Sequence, residues 1–290
     1  MHFHRRSTPW LMLLPALLLL FAFSLFPAVN TVILSFTNVK LIGGGHFTGL
    51  TNYLRLFQDD QLLNAILNSI VYMVICLPLL TLLPLLLAML IQKNVPGIGF
   101  FRTVFYFPVV ASALVVALIW QWLLDDRGLV NGMLTASGLI SSAVPFLQGR
   151  WLLIFSAIGL TVWKGLGWYM VIYLAGLGSI DKSLYEAATV DGANAWRRFW
   201  HVTVPGVRGT MMLVAVMISV SALRVFTEPY VLSGGIGGPG GRSSTVVMLI
   251  KQNGAGVQGQ LGYACALSVV LFVICLGPML LLARLNVRDR

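Results

Sequence analysis

Six stretches of this chain are each long and apolar enough to cross a bilayer as a helix, at about 10–36, 64–91, 103–124, 151–178, 207–232 and 261–285. A hydrocarbon core of about 30 Å needs roughly 20 apolar residues at 1.5 Å of rise each. Within that core each backbone N–H and C=O must be satisfied inside its own segment, which makes a single apolar run a helix. Composition agrees, since 58% of the 290 residues are hydrophobic and only 10% are charged. Soluble domains carry about 25% charged residues, so this chain lacks the polar surface to cover a water-soluble core. The expected fold is all-α and polytopic, with six transmembrane helices filling residues 10–290 behind a short segment, 1–9.

The first run follows a basic start, "HFHRR", as a secretory signal does. Its apolar part exceeds the roughly 7–15 residues of a cleaved signal, so it is expected to stay as the first span. Orientation follows from Lys and Arg in the connectors. Arg5, Arg6, Lys93, Arg102, Lys182, Arg197, Arg198, Arg208, Arg284, Arg288 and Arg290 put eleven on one side. Lys40, Arg55, Arg127, Arg150, Arg242 and Lys251 put six on the other. The positive-inside rule then predicts cytoplasmic termini and a cytoplasmic connector between spans four and five.

The net charge of +10 is scattered through these connectors rather than gathered into a basic face, which argues against nucleic-acid binding. Cys76, Cys265 and Cys275 all lie in apolar runs without metal-ligand spacing and read as small buried hydrophobes. "GGIGGPGG" contains G-x-G-x-x-G, but it follows a membrane span and holds Pro239, so no strand–turn–helix dinucleotide site is expected. It reads as a flexible external loop, and "DDRGLVNGML" is a second external stretch.

One connector is out of keeping with the rest. Residues 179–206 include "EAATVDGANAWRRFWHVTVP", polar and helix-forming between two apolar spans. Ser183 and Glu186 have capping-box spacing. Gly192 suits a left-handed helix end, Asn194 a second cap, and Pro205 a stop. The expected shape is helix, sharp turn, short helix. Two readings remain open on chemistry alone. Trp196, Phe199 and Trp200 with Arg197 and Arg198 suit an amphipathic hairpin at the headgroups. Ala187, Ala188, Gly192 and Ala193, flanked by Glu186 and Asp191, instead form a small-residue surface for close approach by a partner.

This block resembles the EAA loop of ABC importer permeases. Glu186, Ala187, Ala188, Asp191, Gly192, Ala193, Phe199, Val202, Val204 and Pro205 match that pattern, while Asp181 stands where the family often has Pro. "FTGLTNYLRLF", "FFRTVFYFPVV", "IWQWLLDDRGLVNGML" and "FTEPYVLSGG" resemble successive segments of the carbohydrate branch, which includes the maltose and glycerol-3-phosphate permeases. The resemblance implies a permease of a binding-protein-dependent importer in a bacterial or archaeal cytoplasmic membrane. It implies a coupling helix that ion-pairs through Glu186 and bends at Gly192. Its implied partners are a second homologous permease, two copies of an ATP-binding subunit and an extracytoplasmic solute-binding protein. The chain contains no G-x-x-x-x-G-K-[ST] loop, so no cofactor is expected on it, and ATP and Mg are expected on the partner ATPase.

For the solute path the candidates are charges and aromatics within spans, because a mid-membrane charge usually lines a cavity or partner interface. Lys164 lies mid-span beside Trp163, Trp168 and Tyr169, which cannot all face one way. Arg224 and Glu228 have i,i+4 spacing, fitting either an internal salt bridge or a gate. Trp120 and Gln121 are weaker candidates. A sugar is the expected solute, with a phosphorylated one such as glycerol 3-phosphate as the alternative. A stand-alone secondary transporter is the competing class, although no repeat between the halves is evident. A membrane enzyme is disfavoured, since the spans lack paired acids, a His cluster or a G-x-S-G serine.

Overall fold

The structure is a computed structural model and describes residues 8–92, 96–255 and 259–287. Arg5, Arg6, Lys93, Arg288 and Arg290 of the charge count lie outside the described residues. Among those described the fold is helical, with a single isolated bridge, Thr37 to Phe47. By length and composition, five helices qualify as membrane spans, or six if a bent pair counts as one. The chain divides into two compact units, 1–59 with 249–272 and 60–248 with 273–290.

In the first unit, α1 (Thr8–Leu20) runs through a π turn (Phe21–Leu25) into α2 (Phe26–Leu34), giving one helical span. Pro27 is the second residue after that π turn. Proline has no N–H for the preceding turn and its ring crowds it, so a locally widened helix accommodates it. The short α3 (Thr51–Leu56) is tied back to the end of α2. Asn52 Nδ2 donates to the carbonyls of Ser35 at 2.8 Å and Thr37 at 2.7 Å.

The second unit begins with α4 (Asp60–Ile91), α5 (Ile98–Val110), α6 (Ala113–Leu123), α7 (Leu129–Ala136) and α8 (Arg150–Gly178). It continues with α9 (Lys182–Val190), α10 (Ala195–Arg198), a π turn (Phe199–Thr203), α11 (Val204–Gly206), α12 (Arg208–Leu223) and α13 (Thr227–Leu232). Two last helices, α14 (Val246–Gly254) and α15 (Leu261–Val287), have residues in both units. The core of the second unit is where α4, α8 and α12 meet, with Tyr72, Cys76, Leu80, Ile154, Met170 and Ile218 buried. α4 and α8 run parallel in constant register. Tyr72 donates to Ala157 O at 2.9 Å, and Gln92 to Leu177 O at 3.4 Å, both across 85 residues. α5 lies close on α8 because Gly167 has no side chain. A Cβ there would stand 2.2 Å from Phe105 O.

Two expected spans differ from the structure. The third is a bent pair, since α5 and α6 meet at 96°. Ala111 is extended, with φ −69° and ψ 142°, and Pro108 removes an N–H from the last turn of α5. The fifth ends as a regular helix at Leu223 and resumes at Thr227, across a break in which Phe226 has φ −136° and ψ −56°. An apolar run reads the same whether its helix is straight or broken, so periodicity and hydropathy carry no trace of either bend.

Candidate functional site

The polar connector folds as a capped helical hairpin. Asp181 Oδ1 accepts from the Ser183 N–H at 2.9 Å and closes the start of α9. This corrects the expected Ser183–Glu186 box, because the helix starts earlier and leaves Ser183 inside its first turn. The Asp181 carboxyl is held below its ordinary 3.8, first by the Ser183 backbone bond and then by that residue's side chain. At the other end Gly192 has φ +72°. Ala193 N donates to Ala188 O at 2.9 Å and Gly192 N to Thr189 O at 3.1 Å. That bond pair is the Schellman closure, and it requires the left-handed residue glycine supplies. Asn194 Oδ1 then accepts from Arg197 N at 2.9 Å and starts α10, as its position predicts.

Cross-links hold the two arms together. Tyr185 Oη and Thr203 Oγ1 share a hydrogen bond at 3.0 Å, and Arg198 Nη1 donates to Thr189 Oγ1 at 3.2 Å. Pro205 does not stop the helix as expected. The chain stays helical through Gly206, because the π turn before Pro205 makes room for its ring, as at Pro27. Phe199 is half-buried against the core. Glu186, Ala187, Asp191 and Gly192 are exposed, and Ala188 and Ala193 half-buried. Beside them Val190 is 88% exposed and Trp196 68%. Apolar side chains this bare around small residues and two acids fit a partner surface, and Trp196 beside Arg197 and Arg198 equally fits the headgroup region.

The hairpin joins α8 to α12, and those two helices line a cavity of about 430 Å³ with α4 and α13. Thr161, Lys164, Gly165, Trp168 and Tyr169 face it from α8, at spacings of three, four, seven and eight from Thr161. That is one stripe of an α-helix. From the other side come Ser221, Arg224, Thr227 and Glu228. Tyr72 Oη, which also hydrogen-bonds Thr161 Oγ1, and Cys76 contribute from α4. The lining therefore carries two cations, one carboxylate, an aromatic plate in Trp168 and several hydroxyls. Its volume lies in the range of small-ligand sites, roughly 300–1,000 Å³.

Residues 45–288 match the model of the family described as binding-protein-dependent transport system inner membrane component. The chain belongs to this family. It is 34% identical over 277 residues to the probable ABC transporter permease protein YurN of Bacillus subtilis, with 94% of each chain covered. It is 30% identical over 270 residues to the lactose transport system permease protein LacF of Rhizobium radiobacter, covering 91% of this chain and 89% of that one. Among solved structures it resembles a chain of a bacterial alginate ABC transporter in complex with an alginate pentasaccharide-bound periplasmic protein. The TM-score is 0.79 at 26% identity, over 97% of this chain and 94% of that chain.

This permease is thus a multi-pass membrane protein, as the apolar runs and the EAA-like block lead one to expect. The candidate residues separate cleanly. Lys164, Trp168, Tyr169, Arg224 and Glu228 share one cavity, whereas Trp163 lies off the stripe and packs against Trp120, with ring centroids 5.9 Å apart. Arg224 and Glu228 are not one turn apart on a helix, because the break at Val225–Phe226 separates them, and no ion pair joins them among the described residues. Sequence reasoning passed over Tyr72, Thr161, Ser221 and Thr227. Only Thr161 left a readable signal, lying one turn ahead of Lys164. The glycine-rich stretch is an ordered turn rather than a loose loop. Ser243 N donates to Gly237 O at 2.8 Å and Gly237 N to Ser233 Oγ at 3.1 Å.

Proposed function

We propose that this permease is one of two membrane subunits of an importer that moves a sugar or sugar-like solute into the cytoplasm. Two copies of a separate ATP-binding subunit, carrying ATP and Mg, drive it through the 179–206 hairpin, and an extracytoplasmic binding protein delivers the solute. The connector charge balance supports cytoplasmic termini and a cytoplasmic hairpin. One observation carries the reading: the exposed hairpin joins the two helices that line the charged cavity. Lys164 lies fourteen residues before the end of α8 at Gly178, and Arg224 sixteen residues after the start of α12 at Arg208. At 1.5 Å per residue each helix is a lever of roughly 21–24 Å from hairpin to cavity. A partner that pushes the hairpin therefore displaces both walls of the cavity.

The lining suits a saccharide, with Trp168 for a C–H face and hydroxyls, Lys164, Arg224 and Glu228 for the sugar's hydroxyl groups. Two cations against one carboxylate favour, as a second reading, a solute that carries a phosphate. The test is purification of the complex from its native host, followed by ATP hydrolysis in proteoliposomes with its binding protein. The panel contains neutral mono-, di- and oligosaccharides and glycerol 3-phosphate. Stimulation by a saccharide supports the main reading, and stimulation by glycerol 3-phosphate alone supports the second. Absence of any co-purifying ATPase, with ion-driven uptake by this chain alone in liposomes, would overturn both.

A further inference from the structure

The break that brings Arg224 and Glu228 to the cavity is held from outside its own helix. Within it the carbonyl of Val225 accepts from Thr245 Oγ1 at 2.9 Å, in a buried contact. Thr245 belongs to residues 242–245, which lie beyond the glycine-rich turn. That segment is pinned in turn by Asn68, fully buried on α4. Asn68 Nδ2 donates to Arg242 O and to Ser244 O, each at 2.8 Å. Its Oδ1 accepts from Arg150 Nε at 3.2 Å and Nη2 at 2.9 Å. The amide orientation is therefore fixed by its partners, since the two carbonyls require the NH₂ and the guanidinium requires the oxygen.

This chain of bonds has no slack. Both Asn68 amide hydrogens and its oxygen are used, and Ser69 Oγ next to it accepts from Val246 N at 3.4 Å. α4 and the start of α8 hold the 242–245 segment, that segment holds the break, and the break sets where the two charges stand. None of Asn68, Arg150 and Thr245 lines the cavity.

We propose that Asn68 and Thr245 are positioning residues for the cavity, fixing Arg224 and Glu228 relative to one another through the carbonyl of Val225. The inference rests on the cavity being the solute path, but its geometry is tested without any solute. Ser221, an exposed residue of the cavity lining three positions before Arg224, is replaced by Cys in the full chain, in native-host membranes, with Cys76, Cys265 and Cys275 changed to Ala. The readout is the ratio of labelling rates by an anionic and a cationic methanethiosulfonate. Glu228→Gln and Arg224→Gln calibrate it, raising and lowering the ratio by roughly tenfold each, since a unit charge about 6 Å away in water changes the rate of each reagent about threefold and in opposite directions.

Thr245→Val keeps the shape and removes the hydroxyl. Asn68→Asp keeps the acceptor for Arg150 but sets a carboxylate oxygen against two carbonyls. Both are expected to move the ratio toward the Glu228→Gln value by roughly twofold or more, while Thr245→Ser restores it. A ratio unchanged in Thr245→Val and Asn68→Asp, against a normal calibration, overturns the proposal. So does a change that Thr245→Ser fails to reverse. Failure of the solute-path reading is scored separately, by uptake that persists unchanged in Lys164→Gln and Glu228→Gln.

Discussion

Gly192 offers the sharpest test of the hairpin, because its two possible roles separate by substitution. Its φ of +72° lies in the left-handed region, and a Cβ built there meets nothing within 4 Å. An alanine therefore clashes with no neighbour, and its whole cost is the backbone conformation, about 1–2 kcal/mol. A shift of that size lowers the ratio of closed to open turn by a factor of roughly 5–30. Asparagine tolerates the left-handed region far better, yet it adds a side chain to the same empty space. If glycine serves only the turn, Gly192→Asn behaves as wild type and Gly192→Ala does not. If a partner surface occupies that space, as the bare surround of Ala187 and Asp191 suggests, both fail. We expect both to fail. The assay is retention of the proposed ATP-binding subunit on the detergent-solubilised permease, titrated to give apparent affinities, with solute-stimulated ATP hydrolysis beside it. Wild-type retention by Gly192→Asn refutes close approach at this turn, and wild-type retention by Gly192→Ala refutes the requirement for a left-handed residue.

Glu186→Lys is expected to abolish uptake with the chain still present in the membrane by immunoblot, since losing one partner of a buried interfacial charge pair costs about 2–5 kcal/mol. Normal uptake would remove Glu186 from the coupling surface. Gly167→Ala puts a methyl 2.2 Å from Phe105 O, a backbone atom, and overpacking of this kind costs about 1–3 kcal/mol. Gly165→Ala meets side chains rather than backbone, Leu80 at 3.1 Å and Tyr169 at 3.5 Å. The thermal midpoint by fluorescence-detected size exclusion should fall further for Gly167→Ala than for Gly165→Ala. Asn194→Ala removes a cap worth about 1 kcal/mol and should speed trypsin cleavage at Arg197 in membranes by roughly fivefold, with Asn194→Ser close to wild type. The lowered Asp181 carboxyl means that its cap is complete above the ordinary carboxylate value of 3.8 and is lost as pH falls through the lowered one. Pepsin cleavage at Leu184–Tyr185 should therefore rise between pH 4 and 2 in wild type relative to Asp181→Asn, which has no carboxyl to titrate; equal rises would contradict this.

What could be read from the residues depended on how local the cause was. The hairpin was legible because caps and turns are decided within about five residues, as Asn194 to Arg197 and Ala193 to Ala188 demonstrate. Its start was misassigned because Asp181 and Ser183 are both good caps, and only the backbone decides which of them lies outside the helix. Half of the cavity was legible, since Lys164 and Trp168 sit on one stripe of α8 and Trp163 falls beside it. The other half depends on Ser221 and Thr227 facing that stripe from α12 and α13. Their identities carry no mark of it. The two bends were illegible because hydropathy registers neither, and the one in the fifth span is held by a residue twenty positions away, Thr245 on the carbonyl of Val225.

The break in the fifth span also resolves an energetic difficulty. A charge at the bilayer centre costs about 2.5–3.5 kcal/mol on insertion scales, and an Arg224–Glu228 pair on one continuous helix would offset part of that by mutual attraction. The structure separates them instead. Arg224 becomes the residue that ends α12, where the unsatisfied carbonyls carry partial negative charge, and Glu228 falls in the first turn of the short α13, where free N–H groups carry partial positive charge. Each such placement contributes about 0.3–1 kcal/mol, and neither consumes the charge's hydrogen-bonding capacity. An internal salt bridge would leave a neutral wall. Two charges held by helix ends, beside Lys164 and without an ion pair between them, leave donors and acceptors directed into a space large enough for a small ligand. A transporter must bind its solute and then release it, and groups stabilised by the scaffold rather than by each other are available for both steps.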